Sequence, residues 1–308
     1  MDNWRGSLAL PLAIVIAILA VSTASIFVRF AQQEAPSLVI AALRLGFATI
    51  VIAPLVIGRY RGELQLLTRK KMLLAAFSGG FLAIHFAAWI TSLEFTSVVS
   101  SVVLVSTGPL WVALLSPMLL KERLTSTILG GLVLTLLGVI LIAMGEVCEF
   151  DDGLVCPPLI EILGEETLLG NFLALVGAWA IAGYLMIGRN LRPGMSLFPY
   201  IFVVYGVAAI ILIGAMLVAG QRPSGFSAMT YLWIALLALV PQLIGHSTFN
   251  WVLRFIPATL VAIITLGEPV GSALLAYFIL QESPAPLVLL GGCIILAGIY
   301  FSVRKDKP

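Results

Sequence analysis

"VLVSTGPLWVALLSPMLLKE", residues 103–122, returns 160 positions later as "IITLGEPVGSALLAYFILQE", residues 263–282. Pro109, Ala113, Leu120 and Glu122 meet identical partners in Pro269, Ala273, Leu280 and Glu282. Apolar sequence matches leucine to leucine by chance, so the paired proline and glutamate carry the argument. The same offset aligns residues 8–145 with 168–305 without a gap, pairing Arg29, Gly46, Phe95, Gly131 and Gly138 with Arg189, Gly206, Phe255, Gly291 and Gly298. The chain is therefore a duplicated unit.

The unit is built for lipid. Of 308 residues, 61% are hydrophobic and 10% are charged, against about 25% charged in a soluble domain. Mean hydropathy is +1.12. A membrane-spanning helix needs roughly 20 apolar residues. Ten such runs occur, near 9–30, 37–57, 72–93, 97–119, 126–144, 168–189, 197–219, 230–252, 257–280 and 286–303. The first resembles a signal peptide, but its length and its place in the repeat argue that it is retained. The reading is an all-α membrane protein with ten transmembrane helices in two five-helix repeats. Residues 1–145 form the first repeat, 146–167 an acidic external linker and 168–308 the second repeat. Five is odd, so the second repeat enters the membrane from the opposite side. Such inverted-topology repeats typify transporters that bind solute where the halves meet.

Charge orients the bundle. One set of connections and ends holds fourteen Lys and Arg residues; the opposite loops hold Arg29 and Arg222. The positive-inside bias places both termini in the cytoplasm. It also accounts for the net charge of +2 without any nucleic-acid partner. The linker carries seven acids and no base, with Cys148 and Cys156 eight positions apart. On an oxidising face these two are a candidate disulfide. Two free thiols are the other reading, and Cys293 reads as packing.

The segments "HFAAWITSLEFTSVVSSVVLVSTGPLWVALLSPMLLKERLT" (85–125) and "GHSTFNWVLRFIPATLVAIITLGEPVGSALLAYFILQESP" (245–284) resemble the EamA branch of the drug/metabolite transporter superfamily. The likeness covers both repeats. It implies ten helices, an inner membrane of a bacterium or archaeon, and usually export of a small solute, with no cofactor. Many members carry a Trp-Gly pair in the first helix, where this chain has "AVSTASIFVRF" (20–30). No aromatic from that helix is carried over.

Ionisable groups at the bilayer centre cost about 2.5–3.5 kcal/mol on insertion scales, so each needs a reason. Arg44, His85, His246 and Glu268 are the four to explain. His85 and Trp89 stand at i and i+4, as do His246 and Asn250, and Gln242 extends the second stripe. With Trp111, Tyr184 and Tyr205 they are the candidate substrate-binding residues. Their chemistry suits a small amphipathic or zwitterionic solute. Structural hydrogen bonds between helices are the competing reading for both histidines. Arg44 is open to three roles: pairing a substrate carboxylate, pairing Glu268, or reaching toward the nearer surface. Glu268 is the candidate proton-coupling residue, or else a protonated carboxyl bonded to backbone beside Pro269. Pro109 and Pro269 each remove a helix donor and mark a hinge. Glu122 and Glu282 read as surface pairs or loop anchors, and the glycines 130–131, 138, 291–292 and 298 as packing or dimer contacts.

Three functions compete. A secondary transporter working by alternating access, exporting amino acids or related metabolites and drawing on protons or the solute gradient, leads. No Walker motif follows a strand. An enzyme acting on lipid would want clustered His, Asp or Cys at a membrane face, and the chain has two histidines. A receptor or scaffold would need recognition surface beyond one acidic loop. The expected partners are a small-molecule substrate, protons and membrane lipid, in a monomer or homodimer without metal.

Overall fold

Apolar side chains leave the backbone no water to bond, so each span satisfies its own amides as a helix. A computed structural model describes residues 9–96, 98–150, 154–156, 165–281 and 283–304. Among the described residues ten helices are long and apolar enough to cross a membrane. They are α1 (Ala9–Ala31), α2 (Ser37–Arg59), α3 (Arg69–Phe95), α4 (Ser101–Leu119), α5 (Ser126–Gly145), α6 (Leu168–Gly194), α7 (Leu197–Val218), α8 (Ala228–Val252), α9 (Ala258–Ile279) and α10 (Pro286–Val303). The protein is an all-α, multi-pass membrane protein. Between α5 and α6 a two-residue pairing, Glu149–Phe150 with Leu154–Val155, makes a small hairpin. A disulfide joins Cys148 to Cys156 across it.

The 160-residue offset recurs in the backbone. α4 is two pieces, Val98–Val105 and Gly108–Leu119, and α9 repeats the break as Ala258–Thr265 and Glu268–Leu275. Lys121 and Gln281, one offset apart, both sit at φ 57°. The expected bends at Pro109 and Pro269 are therefore breaks. Each proline is the second residue of a new helix, where a missing N–H costs nothing. Glu282 lies outside the described residues.

Packing follows the same symmetry. α3 lies against α6, and α8, its repeat partner, lies against α1; α2 meets α7, and α5 meets α10. The largest buried cluster draws on α1, α2, α3, α6, α7, α8 and α9, with Val112 from α4. The α5–α10 pair stands beside it, with small clusters that it shares with α4 and α9. Those two helices touch backbone to backbone. A Cβ on Gly138 would fall 2.6 Å from the Gly291 carbonyl oxygen, and one on Gly131 2.6 Å from that of Gly298. Moving either pair by the offset generates the other. These glycines thus serve contact within the chain, which supersedes the dimer-contact alternative for them.

Four glutamates tie the connections together by capping the starts of other helices. Glu34 accepts from the Ser227 amide and the Thr230 hydroxyl, both at 2.8 Å, ahead of α8. Glu63 accepts from the Ser196 amide at 2.8 Å, ahead of α7. Glu94 accepts from the Ser37 amide at 3.3 Å, at the start of α2. Glu122 accepts from the Ala258 amide at 3.0 Å, at the start of α9, and from Arg189 Nε at 2.8 Å. A carboxylate satisfies orphan amides and complements the positive helix end. Each contact joins connections that the charge bias assigns to one side.

A side chain at position 138 has no room, whereas a Cβ on Gly46 would meet nothing within 4 Å. Gly138→Val should therefore abolish monodisperse protein in detergent gel filtration, and Gly46→Val should leave yield unchanged. The Ser227 amide, with the Thr230 and Ser227 hydroxyls, holds the Glu34 carboxyl below its ordinary pKa. A lowered folded pKa gives stability that is present above the ordinary glutamate range and lost as pH falls through it. Glu34→Gln should lower the melting temperature at pH 7, and the gap to wild type should close in strong acid.

Candidate functional site

α8 changes character at mid-span. Ala228–Leu237 is α-helical, Ala238–His246 is π-helical, and Ser247–Val252 is α-helical again. Pro241 lies inside the wide turn, where the looser ladder tolerates its missing donor. The image segment in α3 is regular helix. π-turns recur at functional sites, and this one carries Gln242 and His246.

Arg44 projects from α2 onto that turn. It is fully buried, so it does not reach a surface. Its Nε donates to Gln242 Oε1 at 3.0 Å, and its guanidinium lies 4.1 Å from the centre of the Phe86 ring. The ion pair considered with Glu268 is not formed: among the described residues the salt bridge is Arg189 with Glu122. Glu268, half-buried at the head of its helix piece, accepts the Ser22 hydroxyl through its backbone carbonyl at 2.9 Å. That bond uses no carboxyl oxygen, and among the described residues no hydrogen bond joins the carboxyl to the backbone beside Pro269.

The two histidines meet through Phe86. The His246 ring packs edge-on against Phe86 at 5.5 Å, and the His85 ring is tilted to it at 5.0 Å. His85 also stacks on Trp89 at 6.1 Å. Its Nδ1 lies 2.9 Å from the Gly177 carbonyl. A carbonyl only accepts, so Nδ1 carries the proton and neutral Nε2 is left as an acceptor. Tyr205 hydrogen-bonds Ser247 at 3.0 Å and reaches the Gln242 carbonyl at 3.5 Å. Asn250 Nδ2 donates to the Tyr184 hydroxyl and to the His246 carbonyl. Trp111 has a different ring neighbour, Trp179, packed edge-on at 5.5 Å.

The unmade bonds are more telling. Among the described residues the buried side-chain polar atoms with no partner are Arg44 Nη1 and Nη2, Gln242 Nε2, Trp89 Nε1, Trp111 Nε1, Asn250 Oδ1 and Gln221 Oε1. All but the last belong to residues singled out from sequence. Because Gln242 Oε1 already accepts from Arg44, its Nε2 is fixed as a donor. Arg44 and Gln242 together present six unmatched N–H bonds beside one net positive charge. A buried donor left unpaired costs about 1–3 kcal/mol, and a charged one costs more. A planar anion would match that set, a carboxylate bidentately.

Sequence reasoning misses several participants. Phe86 is apolar and gives no signal, yet it separates Arg44 from both histidines. Ser247 is one serine among many, yet it links Tyr205 to the π-turn. Arg192 counts by position among the orienting charges, but it is buried and its Nε donates to the Asn250 carbonyl at 2.9 Å.

A chain-wide likeness agrees with the fold. The family model described as "EamA-like transporter family" matches residues 9–144 and again 168–304. Two uncharacterized transporters of Archaeoglobus fulgidus are similar, one 25% identical over 95% of this chain and 96% of its own length. The other is 24% identical over 70% of each. The uncharacterized transporter YdfC of Bacillus subtilis is 25% identical over 75% of this chain and 71% of its own. A solved crystal structure superposes with a TM-score of 0.76 over 96% of both chains at 17% identity, a likeness of fold alone.

Removing a buried charge whose N–H groups are unmatched also removes their desolvation cost. Arg44→Met should leave the melting temperature of ligand-free protein unchanged or higher. Phe86→Ala, which opens the packed centre, should lower it by several degrees.

Proposed function

The chain belongs to the EamA-like transporter family, and on that premise we propose a secondary transporter that exports amino acids or related small carboxylate-bearing metabolites across the inner membrane of a bacterium or archaeon. The observation that carries the substrate class is the unmatched donor set of Arg44 and Gln242. The carboxylate seats on Arg44 Nη1 and Nη2 and on Gln242 Nε2. Asn250 Oδ1 and His85 Nε2 supply acceptors for an amino group, and Trp89 and Trp111 offer indole donors. Tyr184, Tyr205 and His246 shape the wall.

Alternating access rests on the repeats, residues 1–145 and 168–308, moving against each other around this centre, with 146–167 as an external tether stapled at Cys148 and Cys156. The breaks at Pro109 and Pro269 give each repeat a joint at mid-membrane. Glu268 heads one of those joints, where the image position is Gly108, and among the described residues its carboxyl has no ion-pair partner within 4 Å. That supports a role in proton coupling. The charge bias supports cytoplasmic termini. The reading is of a carrier rather than an enzyme.

Flux in proteoliposomes tests it. Radiolabelled amino acids should accumulate against an imposed pH gradient. Arg44→Met should cut uptake at least tenfold, and His85→Ala should raise the half-saturating concentration. Glu268→Gln should abolish pH-driven accumulation while leaving exchange of internal for external solute. If Arg44→Met transports as wild type does, the carboxylate assignment is wrong.

A further inference from the structure

A crevice adjoins the donor centre. With a volume of about 350 Å³, it opens on the side of the bundle between α1, α2, α7 and α8. Seven of its nine lining residues are apolar, among them Ile52, Phe198, Ile201, Leu243 and Trp251; Ser247 and Thr248 are the polar pair. Such a lining favours an apolar occupant over water. Left empty, it forfeits dispersion contacts along its whole wall. Something apolar belongs there.

Three observations point to the occupant. First, the crevice and the donor centre share a wall. Leu243 follows Gln242 in the π-turn, and Ser247 donates to the Gln242 carbonyl at 3.2 Å while Gln242 holds Arg44 at 3.0 Å. Ser247 stands five positions after Gln242, about one wide turn along the helix, so one short molecule reaches from one to the other. Second, two of the lining helices come from each repeat, which places the crevice on the seam where the repeats meet. Third, the crevice is not a by-product of the fold. The 160-residue offset carries Ile201, Leu243 and Trp251 onto Ala41, Ala83 and Thr91. Ala41 and Ala83 are buried at 0% and 1% exposure, so the helices close over the image position.

We infer that the crevice between α1, α2, α7 and α8 is the subsite for the substrate's apolar part. It rests on the carboxylate reading of Arg44 and narrows it: the transported acid carries a sizeable apolar side chain, with its head on Arg44 and Gln242 and its side chain against Leu243, Ile201 and Phe198. Each methylene buried there adds to the affinity, which favours large side chains over small ones steeply.

Thermal stabilisation of the purified full-length chain by alanine, leucine and phenylalanine tests this. In wild type the half-stabilising concentration should fall at least tenfold from alanine to leucine or phenylalanine. Thr248→Phe, which fills the crevice, should erase that difference and keep the alanine response. Ala13 lines the crevice from α1, and Ala13→Phe serves if the first variant does not fold. Equal half-stabilising concentrations in wild type, or a preference that survives both filled variants, overturns the subsite and leaves the carboxylate reading standing. If no acid of any size stabilises wild type and Arg44→Met changes nothing, the carboxylate reading falls and the subsite falls with it. If native mass spectrometry finds a phospholipid on wild type that Thr248→Phe expels, with no side-chain preference, the crevice belongs to lipid and the proposal is wrong.

Discussion

Two backbone contacts set the geometry of everything else. Gly131 against Gly298 and Gly138 against Gly291 bring α5 and α10 together at a distance that any Cβ would forbid. In lipid, helices gain little from hiding apolar surface and associate through close packing. This crossing supplies such packing at the symmetry axis of the duplicated unit. With the axis placed, the α3–α6 and α1–α8 pairs follow as images of each other, and the α2–α7 pair falls between them. The polar centre lies where α2, α3, α6, α7 and α8 meet, through Arg44, Phe86, Tyr184, Tyr205 and Gln242.

Symmetry builds the scaffold, and departures from it build the chemistry. Arg44 faces α8 from a position whose image is Val204; His85 answers to Gly245, His246 to Phe86 and Glu268 to Gly108. The π-turn occurs in α8 and not at the matching place in α3. A duplicated fold supplies two equivalent half-sites. This chain keeps the framework of both and places charge, imidazole and amide unequally, which fits the proposed recognition of one asymmetric solute.

Much of this is legible in the sequence, and the illegible part has a physical reason. Hydropathy and the offset locate ten spans because both depend on composition over many residues. The polar cluster is legible because lipid penalises every such side chain, so each exception stands out. Phe86 and Ser247 are not, since their roles depend on which neighbour faces them, and an apolar ring or a hydroxyl in a helix is ordinary. Arg192 misleads for the opposite reason. Its position near a helix end suits an orienting charge, while its actual contact is the carbonyl of Asn250, 58 residues away. The prolines do interrupt their helices, as the sequence suggests, but as breaks rather than bends. A proline costs a hydrogen bond only inside a helix, and both stand at a beginning.

The capping glutamates bear on how the chain is made. Glu34, Glu63 and Glu122 belong to the first repeat, and the amides they satisfy, at Ser227, Ser196 and Ala258, belong to the second. Synthesis delivers the carboxylates first. Until the later helices insert, those acids stand hydrated at the two faces of a half-built bundle. The starts of α7, α8 and α9 then find a waiting acceptor as each emerges. The first five helices are thus a template with open sockets, and the order of the duplicated halves along the chain is part of how they are joined.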